Sequence, residues 1–328
     1  MEYTLVIIVI ALASIYNFYN GANDCANSIA TTVSSRVLSP LKAVLLASFF
    51  NVLGAFVTTK VAETIGKGLL SAEYMTSLVV ISSILTAIVW AALATHTGIP
   101  VSITHCIIGG IFGAGVAAFG FGVINWLVLK KVLLAMIFSP VFGFVGGLLI
   151  IILIFWLFKN RRPYFVNKIF GKLQIASASL MAYTHGTNDT QNAMGIITAS
   201  LLAGGFISEF KVPIWVILIS GLVMGLGTFY GGRMVIKTMG MRLTEIKPVH
   251  GFAAETSASV VTFVCSLMGM PISTTHVIST SIMGVGSSRR LSAVRWGIVG
   301  QIIVAWILTL PVTAIVAYLI YKGLDMAF

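Results

Sequence analysis

The chain has 328 residues, 58% of them hydrophobic and 9% charged, with a formal net charge of +11. A water-soluble globule of this size cannot bury so much apolar surface, so a bilayer must serve as solvent. The basic balance does not argue for a nucleic-acid partner, because Lys and Arg sit in short connections between apolar segments, the distribution that orients membrane proteins.

A spanning helix needs roughly 20 apolar residues. The first apolar segment is 3–19. It ends near Ala11-Leu12-Ala13, a weak echo of a leader-peptide cleavage site. The only charge ahead of it is Glu2, and leaders carry Lys or Arg there, so the segment reads as a retained helix. The shorter stretch 21–33 follows, opening on Gly21, which reads as a helix break. Segments 43–59 and 77–94 are near full length, whereas 106–123 is interrupted by glycine. After the long segment 132–158, a basic connection over 159–174 leads into 175–206, where Gly186 marks a second break. The last segments are 214–230, the interrupted 251–286 and 296–320. Trp126, Trp156, Trp215 and Trp296 fall near segment ends, as interfacial anchors do. Cys25, Cys106 and Cys265 lie in apolar stretches without metal or disulfide spacing and read as inert thiols.

The chain is an internal duplication. Gly21, Asn23, Asp24 and Asn27 recur as Gly186, Asn188, Asp189 and Asn192. Gly98-Ile99-Pro100-Val101-Ser102-Ile103-Thr104-His105 recurs as Gly269-Met270-Pro271-Ile272-Ser273-Thr274-Thr275-His276. Between them Val61, Thr64 and Gly66 are echoed by Val235, Thr238 and Gly240. Chance readily matches apolar stretches but not collinear polar residues inside them. The organisation expected is a first repeat over 1–158, the connection 159–174 and a second repeat over 175–328.

Basic residues set orientation. The stretches 34–42, 159–174, 231–250 and 287–295 carry most of the Lys and Arg and are placed on the cytoplasmic side. The segment 251–286 lies between two of them, so it must enter and leave on one face, a re-entrant hairpin with Gly269–His276 at its tip. Its counterpart, 77–123, becomes a hairpin from the other face, tipped by Gly98–His105. Each half then crosses three times, which inverts the second half and puts both termini outside. The fold expected is an all-α polytopic membrane protein of two inverted repeats, with broken helices and re-entrant hairpins.

Asp24 and Asp189 are the only acids inside the two broken segments. A carboxylate in hydrocarbon costs several kcal/mol and is usually functional. Breaking the helix at Gly21 and Gly186 would free carbonyls that, with these carboxylates and the amides of Asn23 and Asn188, replace a cation's water shell. Sodium suits such oxygens; a proton on the same acids is the alternative. At the hairpin tips, Pro100 and Pro271 pre-set helix starts, and Ser102, Thr104, Ser273, Thr274 and Thr275 place hydroxyls beside free N–H groups. That arrangement is an anion cradle without a basic side chain. Asn27 and Asn192 belong with the anion, and Gln191 adjoins them. Glu255 has no acidic counterpart in the first half and reads as a third cation ligand, a proton site or a packing residue. His105 and His276 read as packing residues of the tips or as supports of the site's ligands, with a ligand or gate role as the alternative. An anion beside two buried carboxylates is repelled until cations arrive, which is the thermodynamic basis of symport.

The doubled Gly-x-Asn-Asp-x-x-Asn motif and the two Pro-x-Ser-x-Thr-His tips resemble the inorganic phosphate transporter family over roughly residues 15–300. The resemblance implies inorganic phosphate as substrate, with arsenate as a mimic, and cation symport that imports it across the plasma membrane. It implies about twelve helical pieces, a homodimer, and a site lined by Asn23, Asp24, Asn27, Asn188, Asp189 and Asn192. It matches Glu255 to an acid of the second hairpin. The short connection implies a prokaryotic-type member; family members couple to sodium or protons, the hydroxyl- and amide-rich motifs favour sodium, and no other cofactor is expected. A passive channel is the reading from a different class. An enzyme lacks a nucleophile–base or metal constellation.

Overall fold

A computed structural model describes residues 2–231 and 244–327. Arg233, Lys237, Arg242 and the Val235–Gly240 echo lie outside the described residues. The fold is all-α, with eleven α-helices among the described residues. They are α1 (Glu2–Ser34), α2 (Pro40–Gly54), the short α3 (Lys60–Glu63), α4 (Ser77–Thr97), α5 (Ile103–Phe119) and α6 (Trp126–Leu157). After them come α7 (Pro163–Ala203), α8 (Ile214–Tyr230), α9 (Pro248–Leu267), α10 (Thr274–Ser287) and α11 (Trp296–Ala327).

Four helices, α1, α4, α6 and α11, are long and apolar enough to cross a membrane. Their burial runs opposite to that of a soluble protein. Leu149, Leu153, Ile307 and Leu319 on α6 and α11 are exposed, while Thr184 through Asn192 on α7 are buried. Apolar side chains face the lipid, and polar ones are kept inside where they can pair.

Two sequence expectations need correction. Gly21 and Gly186 do not break their helices: α1 and α7 run helical through both. These glycines serve close approach instead. A Cβ on Gly186 would lie 2.2 Å from the Asn51 carbonyl oxygen of α2, and one on Gly21 would lie 2.4 Å from the Met224 carbonyl oxygen of α8. The basic connection is also shorter than expected, because helix α7 begins at Pro163.

The two hairpins are α4–α5 and α9–α10, each pair packed arm against arm. Gly98 and Gly269 turn the tips at φ 73° and 70°, left-handed values that favour glycine. The second arms start three residues after Pro100 and Pro271, with Ser102 and Ser273 as N-caps that accept from the His105 and His276 N–H groups at 3.1 Å. The prolines therefore shape the approach to the cap and do not open the helix. At 14 and 17 residues, α10 and α5 are about 21 and 26 Å long, short of a bilayer core of ~30 Å.

The halves trade partners. Helix α1 packs on α8 and α2 on α7, while α5 packs on α11 and α6 on α10. Within each half, α1 touches α4 and α7 touches α9. The site sits where α1, α7 and the two hairpin tips meet.

Candidate ion and anion site

Asp24 on α1 and Asp189 on α7 are buried and share neighbours. Thr274 Oγ1 donates to Asp189 Oδ2 at 3.0 Å and reaches Asp24 Oδ2 at 3.5 Å. Thr275 Oγ1 donates to Asp24 Oδ1 at 3.1 Å. Ser and Thr hydroxyls in membrane helices often bond back to a carbonyl one turn earlier. Thr95 does so in addition to its Asn23 contact. The tip threonines instead bond across helices to carboxylates and amides.

The asparagines form a repeat-symmetric frame. Asn23 Nδ2 donates to Thr95 Oγ1 at 3.1 Å, and Asn188 Nδ2 donates to Ser266 Oγ at 2.9 Å, each within its own half. Asn27 Nδ2 donates to Thr274 and Thr275 at 3.1 and 3.0 Å, and Asn192 Nδ2 donates to Thr104 at 3.0 Å, each reaching the other half's tip. All four amide nitrogens thus donate to hydroxyl groups. The oxygens Oδ1 of Asn23, Asn27, Asn188, Asn192 and Asp189 are buried and accept no hydrogen bond. Buried acceptors without donors are expensive unless a ligand satisfies them. An all-oxygen set of carboxylates and amides fits a hard cation such as sodium.

The sequence reading missed His185, one turn before Asp189. Its Nε2 lies 3.1 Å from Asp189 Oδ2 and 3.7 Å from Asp24 Oδ2. Its Nδ1 lies 2.9 Å from Asn51 Oδ1. Asn51 is held by donating to Thr228 Oγ1 at 2.8 Å, and Thr228 in turn donates to the Met224 carbonyl. That chain aims an acceptor at Nδ1, while Nε2 lies close to both carboxylates. Asp24, His185 and Asp189 present ligand atoms within 4.8 Å of one another. The repeat hid His185, because its counterpart is Asn20. Its position immediately ahead of the second motif was the available signal.

Two expected site residues lie elsewhere. Gln191 faces α3: its Oε1 accepts from the Val61 and Ala62 N–H groups at 2.8 and 3.1 Å, and its Nε2 donates to the Thr187 carbonyl. It caps the start of α3, with its Oε1 and one Nε2 hydrogen committed away from the aspartate pair. Gln191→Ala should lower stability by about 1–3 kcal/mol through two orphaned N–H groups while leaving the substrate KM unchanged. Thermal unfolding and uptake kinetics check this; a raised KM with unchanged stability would return Gln191 to the site. Glu255 belongs to a second polar cluster. It accepts from Thr31 and Ser177, from Thr32 at 2.8 Å and from Gln174 at 3.2 Å. Thr31 is seven residues from Asp24 on α1, so this cluster lies about 10 Å along the helix from the aspartate pair.

The tips also touch each other. His105 and His276 meet edge to face with ring centroids 4.6 Å apart. Trp306 of α11 stacks on His276 at 3.8 Å, and its Nε1 donates to the Pro100 carbonyl at 2.9 Å. Both histidines pack between the tips, and the Nε2 atom of each is buried without a hydrogen-bond partner.

Residues 20–317 match the model of the phosphate transporter family. A probable low-affinity inorganic phosphate transporter of Rhizobium meliloti (strain 1021) is 43% identical over 328 residues, 99% of this chain and 98% of that protein. Its namesake in Bacillus subtilis (strain 168) is 40% identical over 99% of this chain and 98% of its own length. Among solved structures, the sodium-dependent phosphate transporter superposes with a TM-score of 0.91 at 27% identity, covering 99% of this chain and 100% of that one. With a doubled Asn-Asp frame at the meeting point of two hairpin tips, this all-α membrane protein belongs to the phosphate transporter family.

Proposed function

We propose that the chain is a sodium-coupled symporter that imports inorganic phosphate across the plasma membrane by alternating access. In this reading 1–158 and 175–328 are inverted repeats, both termini face outward, and α4–α5 and α9–α10 are re-entrant hairpins. The observation that carries it is the aspartate pair set among amide oxygens that accept no hydrogen bond. Sodium ions bound by Asp24, Asp189, Asn23 and Asn188 would satisfy those oxygens. Phosphate would then sit against the tip residues Ser102, Thr104, Ser273, Thr274 and Thr275, with Asn27 and Asn192 beside it. The first turns of α5 and α10 supply helix N-terminal partial positive charge. Two unit charges 4 Å apart interact by about 4 kcal/mol at an effective dielectric near 20. Phosphate next to uncompensated carboxylates is therefore rejected, and each ion raises the affinity for the other. The solved structure named as a sodium-dependent phosphate transporter supports the choice of cation.

The test is uptake of radiolabelled phosphate into proteoliposomes, with an inward sodium gradient or with potassium in its place. Accumulation above the outside concentration is expected only with sodium. Equal uptake in both rejects sodium coupling, and equilibration without accumulation indicates a pore. Proton coupling is the second reading, favoured by His185 between the carboxylates. Accumulation driven by an inward proton gradient in sodium-free buffer decides for it.

A further inference from the structure

The end of the bundle that carries the basic connections holds a cavity unrelated to the aspartate pair. It has a volume of about 280 Å³ and opens where the end of α6, the start of α7 and the start of α9 converge. Four cations line it: Lys159 and Arg161 from the α6–α7 turn, Lys247 ahead of α9, and Arg289 just beyond α10. No carboxylate among the described residues lines it. Among the described residues Arg289 pairs with Glu245 at 3.9 Å, a long contact with the Glu245 side chain 77% exposed, and such a pair is weak. The rest of the wall includes Phe155, Phe158, Val166 and Val249. Phe155 faces outward beside Trp156, which is 65% exposed and marks the level of the membrane interface.

We propose that this cavity binds the headgroup of an anionic phospholipid. Four cations, only one of them with a carboxylate partner and that one distant, call for a phosphate ester. The apolar side of the cavity calls for a ligand with a hydrocarbon tail, which a free phosphate ion lacks. A phospholipid at the interface offers both, its phosphodiester among Lys159, Arg161, Lys247 and Arg289 and its acyl chain against Phe155 and Phe158. Basic pockets between membrane helices bind anionic lipids by this combination.

Native mass spectrometry of the full chain, released from detergent after titration with phosphatidylglycerol, phosphatidylcholine or inorganic phosphate, tests the proposal. Phosphatidylglycerol should be retained well above phosphatidylcholine, and millimolar inorganic phosphate should not displace it. The double variant Lys247→Gln/Arg289→Gln should weaken retention about 25-fold, taking roughly fivefold per surface cation removed. Lys130→Gln, an exposed cation at the opposite end of α6, should change nothing. The wild type gives an independent reading, since headgroup binding must weaken as salt rises. Equal retention in the double variant, salt-insensitive binding, or displacement by inorganic phosphate overturns the proposal, the last by showing a free-anion site.

Discussion

Asp189→Asn should abolish sodium-driven phosphate accumulation while the protein remains inserted and folded. The substitution keeps the shape of the side chain and removes one negative charge from a site where Thr274 and His185 already converge on Oδ2. A bound cation some 4 Å away would lose about 4 kcal/mol of attraction at an effective dielectric near 20, on the order of a thousandfold in affinity. Asp24→Asn should act alike, since Asp24 meets the same Thr274 and accepts from Thr275. The measurement is sodium-driven uptake in proteoliposomes alongside the thermal unfolding midpoint. Near-wild-type uptake in either variant would remove that carboxylate from the mechanism. A collapse of the unfolding midpoint would move the explanation to folding.

The second large effect is structural. Gly186→Ala places a methyl carbon where the Asn51 carbonyl oxygen lies 2.2 Å away and the Asn51 Cα 2.8 Å away. These are backbone atoms, so neither can rotate aside; α2 and α7 must separate. Overpacking of this kind costs about 1–3 kcal/mol or more, and small residues are what allow membrane helices to approach so closely. Separation would also carry Asn51 away from His185, whose Nδ1 it faces at 2.9 Å. The expected outcome is a sharp fall in the yield of monodisperse protein and a lower unfolding midpoint, with uptake lost in proportion. Gly323→Ala is the control: nothing lies within 4 Å of its added carbon, and alanine favours an exposed helix by about 1 kcal/mol. Equal behaviour of the two variants would show that the α2–α7 contact is soft.

Much of the candidate site was legible because its polar residues sit inside apolar segments. Asp24, Asp189 and the four asparagines needed only the repeat to be singled out. The tip threonines followed from the paired Pro-x-Ser motifs. The glycines misled, because composition does not separate a residue that bends a chain from one that lets another helix come near. His185 escaped because the repeat rewards matches, and the histidine is a departure from its counterpart Asn20. Gln191 misled for a geometric reason: neighbours on a helix point about 100° apart, so adjoining Asn192 placed its side chain on α3 and not in the site.

The exchange of partners between the halves bears on biogenesis. Helix α5 leaves the ribosome at Ile103–Phe119, yet the helix it packs against, α11, begins at Trp296. Translation at roughly 5–20 residues per second leaves an interval on the order of ten to forty seconds. Throughout it the newly inserted first hairpin must be shielded by lipid or by the insertion machinery. Assembly is therefore a late event in which long-range docking, slow by topology, waits for the final helix. A nascent chain arrested before Trp296 would hold inserted helices but no finished interior.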